Sequence, residues 1–415
     1  MRKYLLLVIS IVLAAIVFGF LCYSHPWLMT AREQSQLWMC TIDYLGFRLS
    51  EPGGAARYVA EFIVQFSYYI LWGAIVIALF AFAMIWLWWL VIRRIWYYYR
   101  ETPCLLWLQI VSLIPLIGLW LALLDINVQM TLPVSVCLIL LLSLLIPRQG
   151  VAVFPITIIL VLLGWWLAGP VCMLLPLFAP WVLWCHPRPS IAKGVLRFAL
   201  LAILLTGSIL LYGPYSDRPL RELFKGIDYK VKDEYLGIEE EQKYDLFVHL
   251  GLWERILAES RQTPPRKRSS YWAIQLAQWQ LTDSGESDLR QCIFDTWGSL
   301  SSCSSSFLMS DVYLKLGWVN MSQRAAYEAL VSFPNYNYSG RALKRLTETS
   351  LITGRYELVR KYASLLVQAP FYRSWAQEAL HMVDHPELIE QNVNCKNLRQ
   401  TYFGTRDALF YSSYL

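Results

Sequence analysis

Charge is scarce in this sequence. Only 16% of its 415 residues are Asp, Glu, Lys or Arg, against roughly a quarter in soluble domains. A chain that is 57% hydrophobic with so little charge needs apolar surroundings beyond its own core. Familiar chemical signatures are absent too. No Gly-x-Ser-x-Gly, phosphate-binding P-loop, Gly-x-Gly-x-x-Gly or protein-kinase set occurs. That removes the motif-bearing hydrolases, nucleotide-driven enzymes and dinucleotide oxidoreductases. Nine cysteines form no Cys-x-x-Cys pair, so no thiol redox motif or cysteine-rich zinc module is encoded. No cofactor is expected.

What charge there is falls unevenly. Residues 1–212 hold 12 Lys+Arg and 6 Asp+Glu, and residues 213–415 hold 24 of each. The net charge of +6 therefore lies in the hydrophobic half, where it flanks apolar runs rather than forming a nucleic-acid surface. A crossing needs about 20 apolar residues. Stretches that meet or approach this are Tyr4–Cys22, Phe62–Ile92, Leu105–Leu124, Val128–Ile146, Val151–Leu167, Pro170–Trp184 and Val195–Leu211. The first has Arg2 and Lys3 ahead of it and no small-residue cleavage site before Tyr23, so it reads as an uncleaved anchor. The second exceeds a membrane's needs, and its start at Tyr58–Phe62 is expected to lie along the interface. Gly169-Pro170 divides the fifth from the sixth, which form two spans or a re-entrant hairpin.

Orientation follows from basic residues in short loops. With the N-terminus cytoplasmic, Arg2, Lys3, Arg93, Arg94, Arg100, Arg148, Arg188, Lys193 and Arg197 lie inside, against only Arg32, Arg48 and Arg57 outside. The fold class is thus all-α: about seven transmembrane helices over residues 1–212 in an inner (cytoplasmic) membrane, then an extracytoplasmic helical domain over 213–415. No Asp, Glu, Lys or Arg sits mid-span, which argues against an ion pathway built from charges. Gln65, Gln109, Ser112 and Ser143 read as helix–helix glue.

The C-terminal half contains similar units. Leu250-Gly251-Leu252-Trp253, Leu316-Gly317-Trp318-Val319 and Thr353-Gly354-Arg355-Tyr356 each end one helix at Gly and open another. The glycines lie 66 and 37 residues apart, near multiples of the 34-residue tetratricopeptide (TPR) period. A TPR-like array of helical hairpins is expected, with glycine in the left-handed conformation at each turn. The chain resembles an uncharacterised, domain-of-unknown-function family of bacterial polytopic membrane proteins with TPR-like C-terminal regions. The resemblance rests on Pro52-Gly53-Gly54, Tyr58, Glu61-Phe62, Gln65-Phe66 and Trp72-Gly73-Ala74. In the tail it rests on Leu316-Gly317, Ala325–Leu330, Gly354-Arg355-Tyr356 through Leu365-Leu366, and Trp375-Ala376. It implies architecture and no activity.

Candidate chemistry is thin. His381 and His385 would share a helix face, as two zinc ligands do, but Pro386 follows and the metalloprotease Glu is missing. His249 is the other histidine of interest in this half. Cys292 and Cys303 could close a loop around the serine-rich turn Ser299–Ser306. The segment Pro264–Arg268 reads as an inter-helix loop. The first outer loop, 23–60, carries Glu33, Asp43 and Glu51 among aromatics. With Asp125, Glu33 and Asp43 are the acids that a transferase acting on a lipid-linked substrate would use as base or metal ligand. The favoured expectation is non-enzymatic: a bilayer-embedded scaffold whose residues 213–415 bind a protein partner. The alternative is an envelope glycosyltransferase or transporter-like protein.

Overall fold

The computed structural model describes residues 4–99, 109–147, 152–178, 191–216, 218–231, 236–282, 300–332 and 338–405. Helix is the only regular structure among them, apart from an isolated antiparallel bridge between Val128 and Lys230. The chain forms two compact units. One comprises Met1–Ser24 and Thr41–Lys230, the other His25–Cys40 and Val231–Leu415. The unit boundary thus falls after Lys230, beyond the composition change at 212, and the second unit takes in His25–Cys40 from early in the chain.

In the first unit, Leu5–Ser24, Ile70–Trp96, Val153–Leu174 and Ala192–Tyr215 are long and apolar enough to cross a membrane; Gln109–Leu124 and Thr131–Leu145 are shorter apolar helices. Thr131–Leu145, Val153–Leu174 and Ala192–Tyr215 meet through Ile139, Leu160, Trp165, Cys172, Leu201 and Leu205. Large apolar side chains such as Ile11, Leu79, Ile117, Ile159 and Ile203 point outward, a surface that suits hydrocarbon and not water. Ser143, expected to link helices, instead bonds back to Leu140 O within its own helix.

The expected Phe62–Ile92 stretch is broken. Helix Gly54–Gln65 ends in a 3₁₀ turn at Phe66–Tyr68, and Ile70–Tyr99 starts afresh. The first piece buries Arg57 and Glu61 and so requires polar partners, whereas the second is apolar along most of its length. Glu61 receives Arg48 Nη2 at 2.7 Å, Arg57 Nε at 3.2 Å and Tyr44 OH at 2.5 Å, which satisfies a buried carboxylate. Pro52-Gly53-Gly54 owes its glycines to close packing. Gly53 has φ +78° and its N–H reaches Trp166 O, and a Cβ on Gly54 would lie 1.6 Å from Arg48 O. Val153–Ala168 ends at Gly169 (φ +71°) and turns through Gly169–Leu174 into Leu175–Phe178. The rest of the expected Pro170–Trp184 span lies outside the described residues.

The second unit is built from helical hairpins. Glu239–His249 pairs with Trp253–Gln262, Cys303–Lys315 with Val319–Val331, and Gly340–Ile352 with Tyr356–Val367. All three turn alike. Gly251, Gly317 and Gly354 have φ of +67°, +78° and +75°. The N–H after each reaches five residues back at 2.8 Å: Leu252 to Phe247, Trp318 to Tyr313, Arg355 to Ser350. This is the Schellman closure that a left-handed glycine permits. Ala325, Ala326, Ala329 and Ala363 are fully buried, so the helices approach closely. The expected serine-rich turn is in part a helix start: Ser302 caps Cys303–Lys315 by accepting from Ser305 N. Cys303 is buried, and Cys292 lies outside the described residues.

Candidate functional site

The first helix of each hairpin carries an acid six residues before its turn glycine: Asp245, Asp311 and Glu348. The shared register puts the three on equivalent faces, and two arginines of Gly340–Ile352 thread between them. Arg341 grips Asp245 at 2.6 and 2.7 Å and Asp311 at 2.9 Å. Arg345, one turn later, bonds Asp311 and reaches Glu348 at 3.0 Å. The result is an alternating ladder, Asp245–Arg341–Asp311–Arg345–Glu348, whose first three members are buried. Burial pushes the Asp311 carboxyl up, but Arg341 and Arg345, aided by His249, hold it well below the usual carboxylate range.

Along the same helices, toward their C-terminal ends, lies a groove of about 670 Å³, in the size range of ligand sites. His249, Arg345 and Glu348 line one part of it, and Trp375, Met382 and Asn394 another. His249 Nδ1 lies 3.0 Å from Asp311 Oδ2 with its side chain 42% exposed. The arrangement offers hydrogen-bond donors and acceptors, an aromatic face and nearly balanced charge. It can hold a polar, flexible chain, and none of its described lining residues presents an activated nucleophile.

Toward the other end of those helices the inner face is occupied. The segment His25–Cys40 lies there with Trp27, Leu28, Met29, Leu37, Trp38 and Met39 buried. Arg341 Nη1 donates to Gln34 Oε1 at 2.6 Å, and Cys40 N donates to Gln368 O at 2.9 Å.

The chain belongs to a family of unknown function, DUF6057. The family's profile matches residues 2–220 and 221–415, nearly the full length, as the resemblance implied. No curated protein and no solved structure matches it.

The acids singled out from the sequence fall into different settings. Glu33 belongs to the second unit, is 5% exposed, and accepts from Tyr372 OH at 2.7 Å. Burial pushes its carboxyl up to about 7, against the opposing pull of Tyr372, Arg341 and Lys344. Asp43 and Asp125 belong to the first unit. Asp43 is exposed in the first turn of Ile42–Leu49, where the helix dipole favours it. Asp125 follows helix Ile114–Leu124 and pairs with Lys230 Nζ at 3.0 Å. Partial burial pushes its carboxyl up, but Lys230 and Asn127 together outweigh that and hold it below its ordinary value. His381 and His385 are exposed with rings 4.6 Å apart, His385 beside Glu387. Among the described residues no group of three His, Cys, Asp or Glu that could hold a metal ion forms. Sequence reasoning passed over Asp245, Asp311, Arg341 and Arg345. For the two aspartates the signal was an acid at constant distance from each turn glycine, which motif searching ignores; the arginines carry no such mark.

Proposed function

We propose that the protein is a multi-pass, membrane-anchored scaffold whose TPR-like second unit binds a polypeptide partner in the cell envelope. In this reading seven spans anchor it in the inner membrane, with the N-terminus cytoplasmic and the repeat unit exported. The observation that carries the proposal is the open groove on a face held rigid by the charge ladder. Paired-helix arrays bind partners through such faces, and a nearly neutral, amide-bearing lining suits a peptide better than a phosphate backbone. The transferase alternative gains nothing specific: Glu33 is engaged by Tyr372, Asp125 by Lys230, and Asp43 faces solvent.

Affinity capture from detergent extract tests this, using the full chain. Trp375→Ala in the groove is expected to lose the partner, and Tyr327→Ala, on an exposed position of Val319–Val331, to retain it. Equal capture by both variants overturns the assignment. Glu33→Gln, Asp43→Asn and Asp125→Asn are each expected to rescue a deletion phenotype. A stable amide variant that fails to rescue supports the enzyme instead.

A further inference from the structure

The second unit is discontinuous, and that constrains how the chain threads the bilayer. His25–Cys40 joins residues 231–415 in one body. Its bonds there are direct: Arg341 to Gln34 at 2.6 Å, Tyr372 to Glu33 at 2.7 Å, and backbone Cys40 to backbone Gln368 at 2.9 Å. Lys243 also lies 4.7 Å from the Trp27 ring. Segments that share a core and bond main chain to main chain lie on one face of a membrane, because a bilayer core about 30 Å thick would separate them. We infer that His25–Cys40 and Val231–Leu415 occupy the same side, so that the chain from Thr41 to Lys230 crosses the membrane an even number of times.

The parity rule discriminates between span counts. Between Thr41 and Lys230 lie three of the helices long and apolar enough to cross: Ile70–Trp96, Val153–Leu174 and Ala192–Tyr215. Three crossings would put the two parts of the second unit on opposite faces. Adding both shorter helices, Gln109–Leu124 and Thr131–Leu145, makes five and fails in the same way. A separate crossing after Gly169-Pro170 makes six and satisfies the rule, as does a set in which only one shorter helix crosses. Six after the first helix is the seven-span count. The rule stands whichever face is outside, so it is independent of the exported orientation proposed above.

Cys40 supplies the test, since its side chain is exposed. One full-length variant keeps Cys40 as its only cysteine; a second lacks all native cysteines and carries Glu378→Cys, at an exposed site in the other part of the unit. A membrane-impermeant maleimide is applied to intact cells, then after permeabilisation, with denatured protein giving full labelling. Both thiols are expected to react in the same step with the same intact-to-permeabilised ratio. Reaction of one in intact cells and of the other only after permeabilisation overturns the inference. Reaction of both only after permeabilisation keeps the inference and overturns the exported orientation. Should the cysteine-free background fail to insert, compartment-sensitive reporters fused after Cys40 and after Leu415 give the same comparison: both active or both silent is expected, and disagreement sinks the idea.

Discussion

Arg341 holds two buried carboxylates that do not depend on it equally. Asp311 retains Arg345 and His249, but among the described residues Asp245 would keep only Gln34 at 3.3 Å. Arg341→Met is expected to destabilise the second unit by about 3–5 kcal/mol, the range for a buried charge left without its partner. Adding Asp245→Asn should recover part of the loss, read as a raised melting temperature in the double variant. Glu33 works in the opposite direction. Its folded carboxyl titrates at about 7, above an ordinary value of 4.5, so the folded state binds the proton more tightly than the unfolded one. Stability therefore falls as pH rises from 4.5 through 7 and is lowest above 7, by roughly 3 kcal/mol for a shift of this size. Glu33→Gln preserves shape and removes the charge. It should flatten this part of the pH–stability curve and stabilise the unit at pH 8, by thermal unfolding of the full protein in detergent. A curve that keeps its slope in the variant removes Glu33 as the cause.

At the scale of elements, the hairpin turns and the helix starts make separate demands on glycine. Gly354 has φ +75°, and the nearest atom that a Cβ added there would meet, Arg399 Nη2, lies 3.9 Å away. Gly354→Ala therefore costs only conformational strain, about 1–2 kcal/mol. Gly340 is sterically tight. A Cβ there would lie 2.4 Å from the Tyr372 ring, which is itself buried and bonded to Glu33. Gly340→Ala should cost about 1–3 kcal/mol through overpacking. It should also disturb the Glu33–Tyr372 bond, so the pH dependence of stability changes in Gly340→Ala and not in Gly354→Ala. Identical pH profiles for the two would disprove the packing argument. The turn glycines were legible in advance because Gly followed by an apolar residue and a fresh amphipathic run is a local pattern. Gly340 was not, because its partner Tyr372 lies at the start of helix Arg373–Asp384, beyond the hairpin that holds Gly340.

For the whole molecule, the discontinuous second unit predicts how fragments behave. Residues 213–415 alone lack a segment whose Trp27, Met29, Leu37 and Trp38 are buried, and they leave Arg341 and Tyr372 facing an empty site. That fragment is expected to be helical but poorly soluble, with a broad unfolding transition. Residues 25–40 joined to 231–415 by a flexible linker should unfold sharply and at higher temperature. Equal stability of the two would show the segment to be dispensable.

Composition and periodicity alone determined that this chain carries apolar membrane-length helices ahead of a helical tail with repeated glycine turns. Both follow from short-range physics: transfer of side chains from water needs only a run of about 20 residues, and a left-handed helix end needs only the residue that tolerates it. The same local reading grouped Glu33, Asp43 and Asp125 as the acids a transferase would use, and there it stopped. Only the tertiary structure decided that Glu33 is buried against Tyr372, that Asp125 pairs with Lys230, and that Asp245 and Asp311 share one arginine. It alone assigned His25–Cys40 to residues far along the chain. Gln34 and Arg341 are 307 positions apart, and no periodicity spans that distance; their pairing follows from which faces remain to be covered once the hairpins have stacked.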